Sequence, residues 1–210
     1  MNEPIEEFEL TGGALCLDFA NTLGDRPLCC HEHLPGYEEL LRWSGQAEVL
    51  EAAQIEALES DAGKHPRKAQ AAFERAIELR ETIYRIFAAL SQQERPADED
   101  LQGLNTHLSE ALPHLKVVID RESLAWSWGG PERALDRMLW PVARSAADLL
   151  TSDEAIALRE CASETCSWLF VDRSRTRRRR WCDMSTCGNR AKARRHYQRR
   201  KQERSTAQRR

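Results

Sequence analysis

The chain contains no run approaching the ~18 consecutive apolar residues that a membrane-spanning helix requires. Its first residues, Met1-Asn2-Glu3-Pro4, are acidic where a secretion signal is basic. These absences lead to the expectation of a soluble, cytoplasmic protein with no membrane partner. An even cysteine count is also missing. Seven cysteines exclude a complete intramolecular disulfide framework and, in a reducing compartment, make metal binding the first reading. No Gly-rich phosphate loop, nucleophile elbow or His/Glu zinc-hydrolase motif occurs, so no enzyme is expected. No internal repeat at a solenoid period is present, and no low-complexity segment precedes the Arg-rich end.

What is present in 210 residues is enough apolar material, 41%, for one packed core, with 31% charged residues around it. One domain with a small appendage is the expected organisation. The net charge of −3 conceals a division. Residues 171–210 hold 16 Lys/Arg against three acidic side chains, a local balance of +13, and residues 1–170 hold 15 against 31, or −16. An acidic body with a strongly basic end points to a polyanion, most often nucleic acid, as partner of that end. A solvated tail is the alternative.

Apolar residues at three- and four-residue steps (Phe73, Ala76, Ile77, Ile83, Phe87, Leu90) predict a long helix over 67–92. A second helix starts at Asp98 and turns Leu101, Leu104 and Leu108 inward. A third is expected from Pro131, kinked at Pro141, with Leu135, Met138, Leu139, Val142, Ala146 and Leu149 on its inner side. Shorter helices are expected near 14–23, 37–43 and 48–60. Residues 115–120 and 124–128, β-branched and aromatic around a polar turn, read as a hairpin lying against the helices. The pattern divides the chain into an α-rich regulatory or sensor domain at 1–152, a zinc finger with a basic helix at 158–203 and a basic tail at 204–210. The fold class is mainly α, with a small β-hairpin and a treble-clef-like four-cysteine finger.

Cys161 and Cys166 are separated by four residues, as are Cys182 and Cys187, with fifteen between the pairs. Two thiol knuckles joined by a hairpin-length insert suit a tetrahedral site with one structural Zn²⁺ and no open position for water. Cys16, Cys29 and Cys30 lack such pairing. Residues 168–171 and 178–181 read as the two strands of the insert, and the chain after Gly188-Asn189 reads as helix.

These residues resemble a known family. Cys161-x4-Cys166, Trp168-Leu169-Phe170-Val171-Asp172, Arg180-Trp181-Cys182 and Cys187-Gly188-Asn189-Arg190-Ala191-Lys192 resemble the CGNR zinc finger over about residues 160–200. The segment from Gly12-Gly13-Ala14-Leu15-Cys16-Leu17 through Asp18-Phe19-Ala20-Asn21-Thr22-Leu23 is similar to the opening of the domain that usually precedes this finger, termed a "putative stress-induced transcription regulator" domain. The resemblance implies bacterial origin, zinc binding and DNA binding in transcription regulation.

Zn²⁺ with four thiolates carries a formal −2, so some arginines belong to the finger itself. The others exceed that need. Arg177, Arg178, Arg179 and Arg180 on the insert, with Arg190, Lys192, Arg194, Arg195 and Arg199 on the helix, are the candidate phosphate-neutralising residues. Arg190 and Arg194 are the candidates for base edges if the helix enters a major groove. Asp18 and Asn21, one turn apart, are candidate ligand-binding residues, with local backbone capping as the alternative. Cys29-Cys30-His31-Glu32-His33 holds metal-ligand types, but adjacent ligands rarely converge on one ion. The function expected is that of a zinc-dependent DNA-binding regulator in the cytoplasm, nucleoid-associated, whose N-terminal domain meets a small-molecule effector or a second copy. An RNA-associated or protein-interaction module using the same finger is the competing reading.

Overall fold

The computed structural model describes residues 7–28, 31–131 and 133–207, with side chains as far as Arg200. The fold is mainly α, with seven helices and three two-stranded antiparallel ribbons among the described residues. In chain order these are α1 (Leu15–Ala20), β1 (Leu23–Gly24), β2 (His31–Glu32), α2 (Tyr37–Gln46), α3 (Ala52–Lys64), α4 (Pro66–Ser91), α5 (Asp98–Ala111), β3 (Leu115–Asp120), β4 (Ser123–Trp128), α6 (Leu139–Leu150), β5 (Leu158–Glu160), β6 (Leu169–Val171) and α7 (Asn189–Ala207).

The 26-residue α4 is the axis of the body. Its periodic face buries Ala76, Leu79, Ile83, Ile86 and Phe87, and α1, α2, α3, α5 and α6 all pack on it. Each large side chain buried there contributes about 1.5–3 kcal/mol relative to exposure. Arg80, also buried on α4, forks onto both carboxylate oxygens of Glu32 at 2.6 and 2.7 Å, which fixes β2 against the helix.

Two helices begin later than their sequence pattern suggests. The segment near 48–60 becomes helical at Ala52, where Glu51 and Gln54 form a reciprocal capping box, after Glu48 has turned the backbone to φ +56°. The helix expected from Pro131 begins at Leu139, so Pro141 lies in the first turn, where its missing N–H costs no hydrogen bond, and no mid-helix kink is needed.

Two expectations about strands are corrected. The ribbon β3–β4 forms in the register expected, Leu115 opposite Trp128 through Asp120 opposite Ser123, but its apolar side does not lie against the helices. Val117, Ile119, Leu124 and Trp126 are all exposed. Residues 178–181 do not pair with β6. Its partner is β5, upstream of the first cysteine, with Leu158 opposite Val171 and Glu160 opposite Leu169. Four consecutive arginines repel one another along a strand, and the backbone there finds other partners: Arg180 C=O accepts from Ala162 N–H at 2.8 Å, and Arg179 N–H donates to Asp172 at 2.8 Å.

β6 also joins the finger to the body. Leu169 and Val171 enter the same core as α1 and α4, and Phe170 between them points to the cysteines.

Candidate zinc centre and basic face

The finger is assembled from short pieces, each with an identifiable cause. In the first knuckle, Ser167 follows Cys166 with φ +62°, a left-handed turn that lets the N–H of Trp168 reach the Cys166 sulfur. The N–H groups of Ser163 and Cys182 point to the Cys161 sulfur. In the second knuckle, the Asp183 carboxylate accepts from the N–H groups of Ser185 (2.7 Å) and Thr186 (2.9 Å), starting the helical turn Met184–Gly188 that presents Cys187 and continues into α7. Hydrogen bonds from Ser185 and Thr186 hold the Asp183 carboxyl below the usual carboxylate range.

All four thiols are buried, and their Sγ atoms lie within 4.8 Å of one another. The Cys182 Sγ stands 3.7 Å from the Sγ of both Cys166 and Cys187. Zn–S bonds of about 2.3 Å in a tetrahedron require sulfur separations of about 3.8 Å, so the donor set fits Zn²⁺ in size as well as in chemistry. Four thiols this close cannot all ionise alone. The Cys161 thiol is driven down by the S–H groups of Cys166 and Cys182, which are themselves driven up, so only a cation could stabilise all four as thiolates. Buried Phe170 and half-buried Trp168 and Trp181 pack around the cluster as its small apolar shell.

Part of the basic set serves the finger. Arg179 donates to the carbonyl oxygens of Trp181 (2.9 Å) and Cys182, and its guanidinium lies 4.5 Å from the centre of the Phe170 ring. It is a structural residue, not a free phosphate contact. Arg190 donates to Thr165 Oγ1 at 3.0 Å, and Arg194 pairs with Glu164, so the α7 side expected to reach base edges is turned to the first knuckle. Arg180 lies over the Trp181 ring at 5.3 Å. Arg177, Arg178, Lys192, Arg195, Arg199 and Arg200 are exposed and pair with no acidic side chain among the described residues.

Asp18 and Asn21 both bond to backbone groups and both line one cleft. The Asn21 side-chain amide donates to Leu169 C=O at 2.9 Å, and its carbonyl oxygen accepts from Leu169 N–H at 2.9 Å, a two-bond clamp on β6. Gly12 C=O accepts from Val171 N–H at 2.9 Å, and Asp18 in turn accepts from Gly12 N–H at 2.7 Å. A Cβ at Gly12 would lie 2.8 Å from Leu17 Cβ, and Gly13 has φ +79°, so both glycines are required by this turn. The segment 12–21 is thus a strap for the finger's strand, a role with no local sequence signal because its partner lies 148 residues away. Beside the strap, a cleft of about 280 Å³ lies between Asp18, Asn21 and His31 on the body and Trp168, Cys182 and Arg190 on the finger. Cys16 is fully buried in the core, its thiol pushed up to about 12 by burial. Cys29 and Cys30 lie outside the described residues.

Two family models meet on this chain. The one described as "Putative stress-induced transcription regulator" (ABATE) matches residues 13–153. The chain belongs to that family. The CGNR zinc finger matches residues 157–200, the region that holds all four ligands, and the protein carries one structural zinc ion. No curated protein matches the chain. Among the described residues of this ABATE–CGNR protein, no helix is long and apolar enough to cross a membrane.

Burial pushes the Asp18 carboxyl up from 3.8 to about 6. The folded state therefore holds a proton that the unfolded chain has already lost, so this group's stabilisation is complete below about pH 4 and is lost as the pH rises to about 6. Asp18→Asn keeps the acceptor for Gly12 and has no charge to bury. It is expected to exceed the wild type by about 1–2 kcal/mol at pH 7.5, after discounting for partial exposure, with the difference shrinking toward pH 5. Urea unfolding at both pH values measures this, and a constant difference would remove Asp18 as its source.

Proposed function

We propose that this protein is a DNA-binding transcription regulator of the cytoplasm, nucleoid-associated, that contacts the duplex through its CGNR finger and catalyses nothing. The observation that carries this reading is the outward side of α7. Among the described residues, Lys192, Arg195 and Arg199 have no acidic partner there, and Arg177 and Arg178 on the insert have none either. A 19-residue helix is about 28 Å long, enough to follow a groove, and it has no apolar side to bury, with even Tyr197 exposed. The zinc site holds the helix base rigid, so the charges act from a fixed platform. Since Arg190 and Arg194 serve the finger, base-edge contacts fall to Lys192, Arg195 and Arg199. A small effector would act in the cleft between body and finger, where it touches both.

Six exposed cations without acidic partners among the described residues predict a log–log salt slope of about −5 for a mixed-sequence duplex. Fluorescence anisotropy should show the triple variant Lys192→Ala/Arg195→Ala/Arg199→Ala losing about three units of slope with zinc content unchanged. An unaltered slope would displace the interface from α7, and tighter binding to a hairpin RNA than to the duplex would favour an RNA-associated module.

A further inference from the structure

The ribbon β3–β4 has its polarity inverted. Leu115, Val117 and Ile119 on one strand stand opposite Trp128, Trp126 and Leu124 on the other, so one face of the ribbon is entirely apolar. Only its base is covered, where Trp128 and Leu115 are half-buried and Trp128 lies 6.3 Å from the Trp140 ring. Beyond the base, Val117 is 54% exposed, Trp126 61%, Leu124 76% and Ile119 79%. The half-buried residues of the outer ribbon, Val118 and Ala125, lie on the other face, which also carries Lys116, Asp120, Ser123 and Ser127. The two-residue turn Arg121-Glu122 fixes the register, so the apolar face is not the result of a slipped strand.

This arrangement is costly for a monomer. Arg121 and Glu122 hold φ +50° and +99° with neither glycine nor asparagine at either place. A two-stranded ribbon without cover is marginal in water. We infer that this face is the contact between two copies of the chain, packed apolar side to apolar side about a two-fold axis.

Two observations select a second copy over other occupants. The first is charge. The ribbon's ionic residues, Lys116, Asp120, Arg121 and Glu122, sum to zero, with adjacent opposite signs at the turn. A two-fold contact demands that a surface complement itself, and Arg121 beside Glu122 provides that. A ribbon without net charge, with Arg144 beside it paired to Asp148 at 3.3 Å, offers little to a nucleic acid or an anionic lipid surface. The second is area. The four exposed side chains present roughly 500 Å² of apolar surface, at the upper end of what a monomer leaves uncovered. Two such faces bury about 1,000 Å², which reaches the size a specific interface needs. Trp126 sits at the middle of the face with the Arg144 guanidinium 4.7 Å from its ring centre, and tryptophan and arginine are both enriched among the residues that carry binding energy at interfaces.

Sedimentation velocity of the full, zinc-loaded chain between 1 and 100 μM tests this without DNA. The wild type is expected as a dimer, Ile119→Lys/Leu124→Lys as a monomer with dimerisation weakened at least about a hundredfold, and Ser123→Lys, on the opposite face, as a dimer. Helicity and zinc content should be unchanged, since both replaced side chains are mostly exposed. If the double variant misfolds, Leu124→Ser serves in its place, with at least about tenfold weaker dimerisation expected. A wild type that stays monomeric at 100 μM, or a dimer that survives these changes, overturns the inference. The first outcome would assign the face to a different partner, and the second would move the dimer contact elsewhere.

Discussion

Cys182→Ser should release the zinc and lower the stability of the helical body along with the finger. Cys182 is the best test because it is almost fully buried and its sulfur touches those of two other ligands at 3.7 Å. A hydroxyl is a poor zinc ligand, and the three remaining thiols cannot close the tetrahedron. Metal binding in such a site is folding free energy, so residues 160–200 lose their structure. The effect does not stop there. Leu158, Leu169 and Val171 belong to the core of the body, and releasing them uncovers apolar surface on α1 and α4. Three such side chains account for about 5 kcal/mol of burial, so the body should melt well below its wild-type temperature. Elemental analysis and scanning calorimetry on the same sample measure both effects. A zinc-free variant whose body melts as in the wild type would mean that β6 contributes nothing to that core.

Asn21→Leu is expected to separate finger and body while the zinc stays bound. The change keeps the four-atom branched shape with bulkier methyl ends but deletes both hydrogen bonds to Leu169, leaving a buried N–H and a buried C=O without partners. At about 1–3 kcal/mol for each orphaned group, the cost is about 2–6 kcal/mol. Asn21→Asp is the sharper comparison. It can still accept from Leu169 N–H, but it turns a second acceptor toward Leu169 C=O and buries a charge, so it should be at least as damaging. Limited proteolysis between residues 150 and 160, read with the zinc content, distinguishes loosening of β6 from loss of the finger. Wild-type resistance in both variants would show the clamp to be dispensable.

The residues explain which parts of this architecture could be read in advance. The helices and the zinc ligands depend on local spacing: the apolar steps along α4 and the two cysteine pairs are legible within twenty or thirty residues of chain. The strand pairing is different. The locality of hairpins points β6 to the arginine segment that follows it, whereas its partners, β5 and the strap at Gly12 and Asn21, precede it across the first knuckle and across nearly the whole body. Asn21 carried a polar signal but no direction. The basic residues are legible as a group and not as individuals: only the fold shows that Arg179, Arg190 and Arg194 bond to groups of the finger, while Lys192, Arg195 and Arg199 are exposed and pair with no acidic side chain among the described residues.

The alternation along β6 also bears on how such proteins can be recombined. Leu169 and Val171 answer to the helical bundle, and Phe170, one residue or about 3.3 Å along the strand, answers to the zinc cluster. The two family modules are therefore not cassettes with a free joint at residues 153–157. A chimera that grafts this finger onto another body would inherit three apolar side chains with no pocket and a strand with no strap. It would need residues 12–21 transplanted together with 157–200, and a natural fusion that exchanged one module would have to rebuild both sides of this seam in the same event.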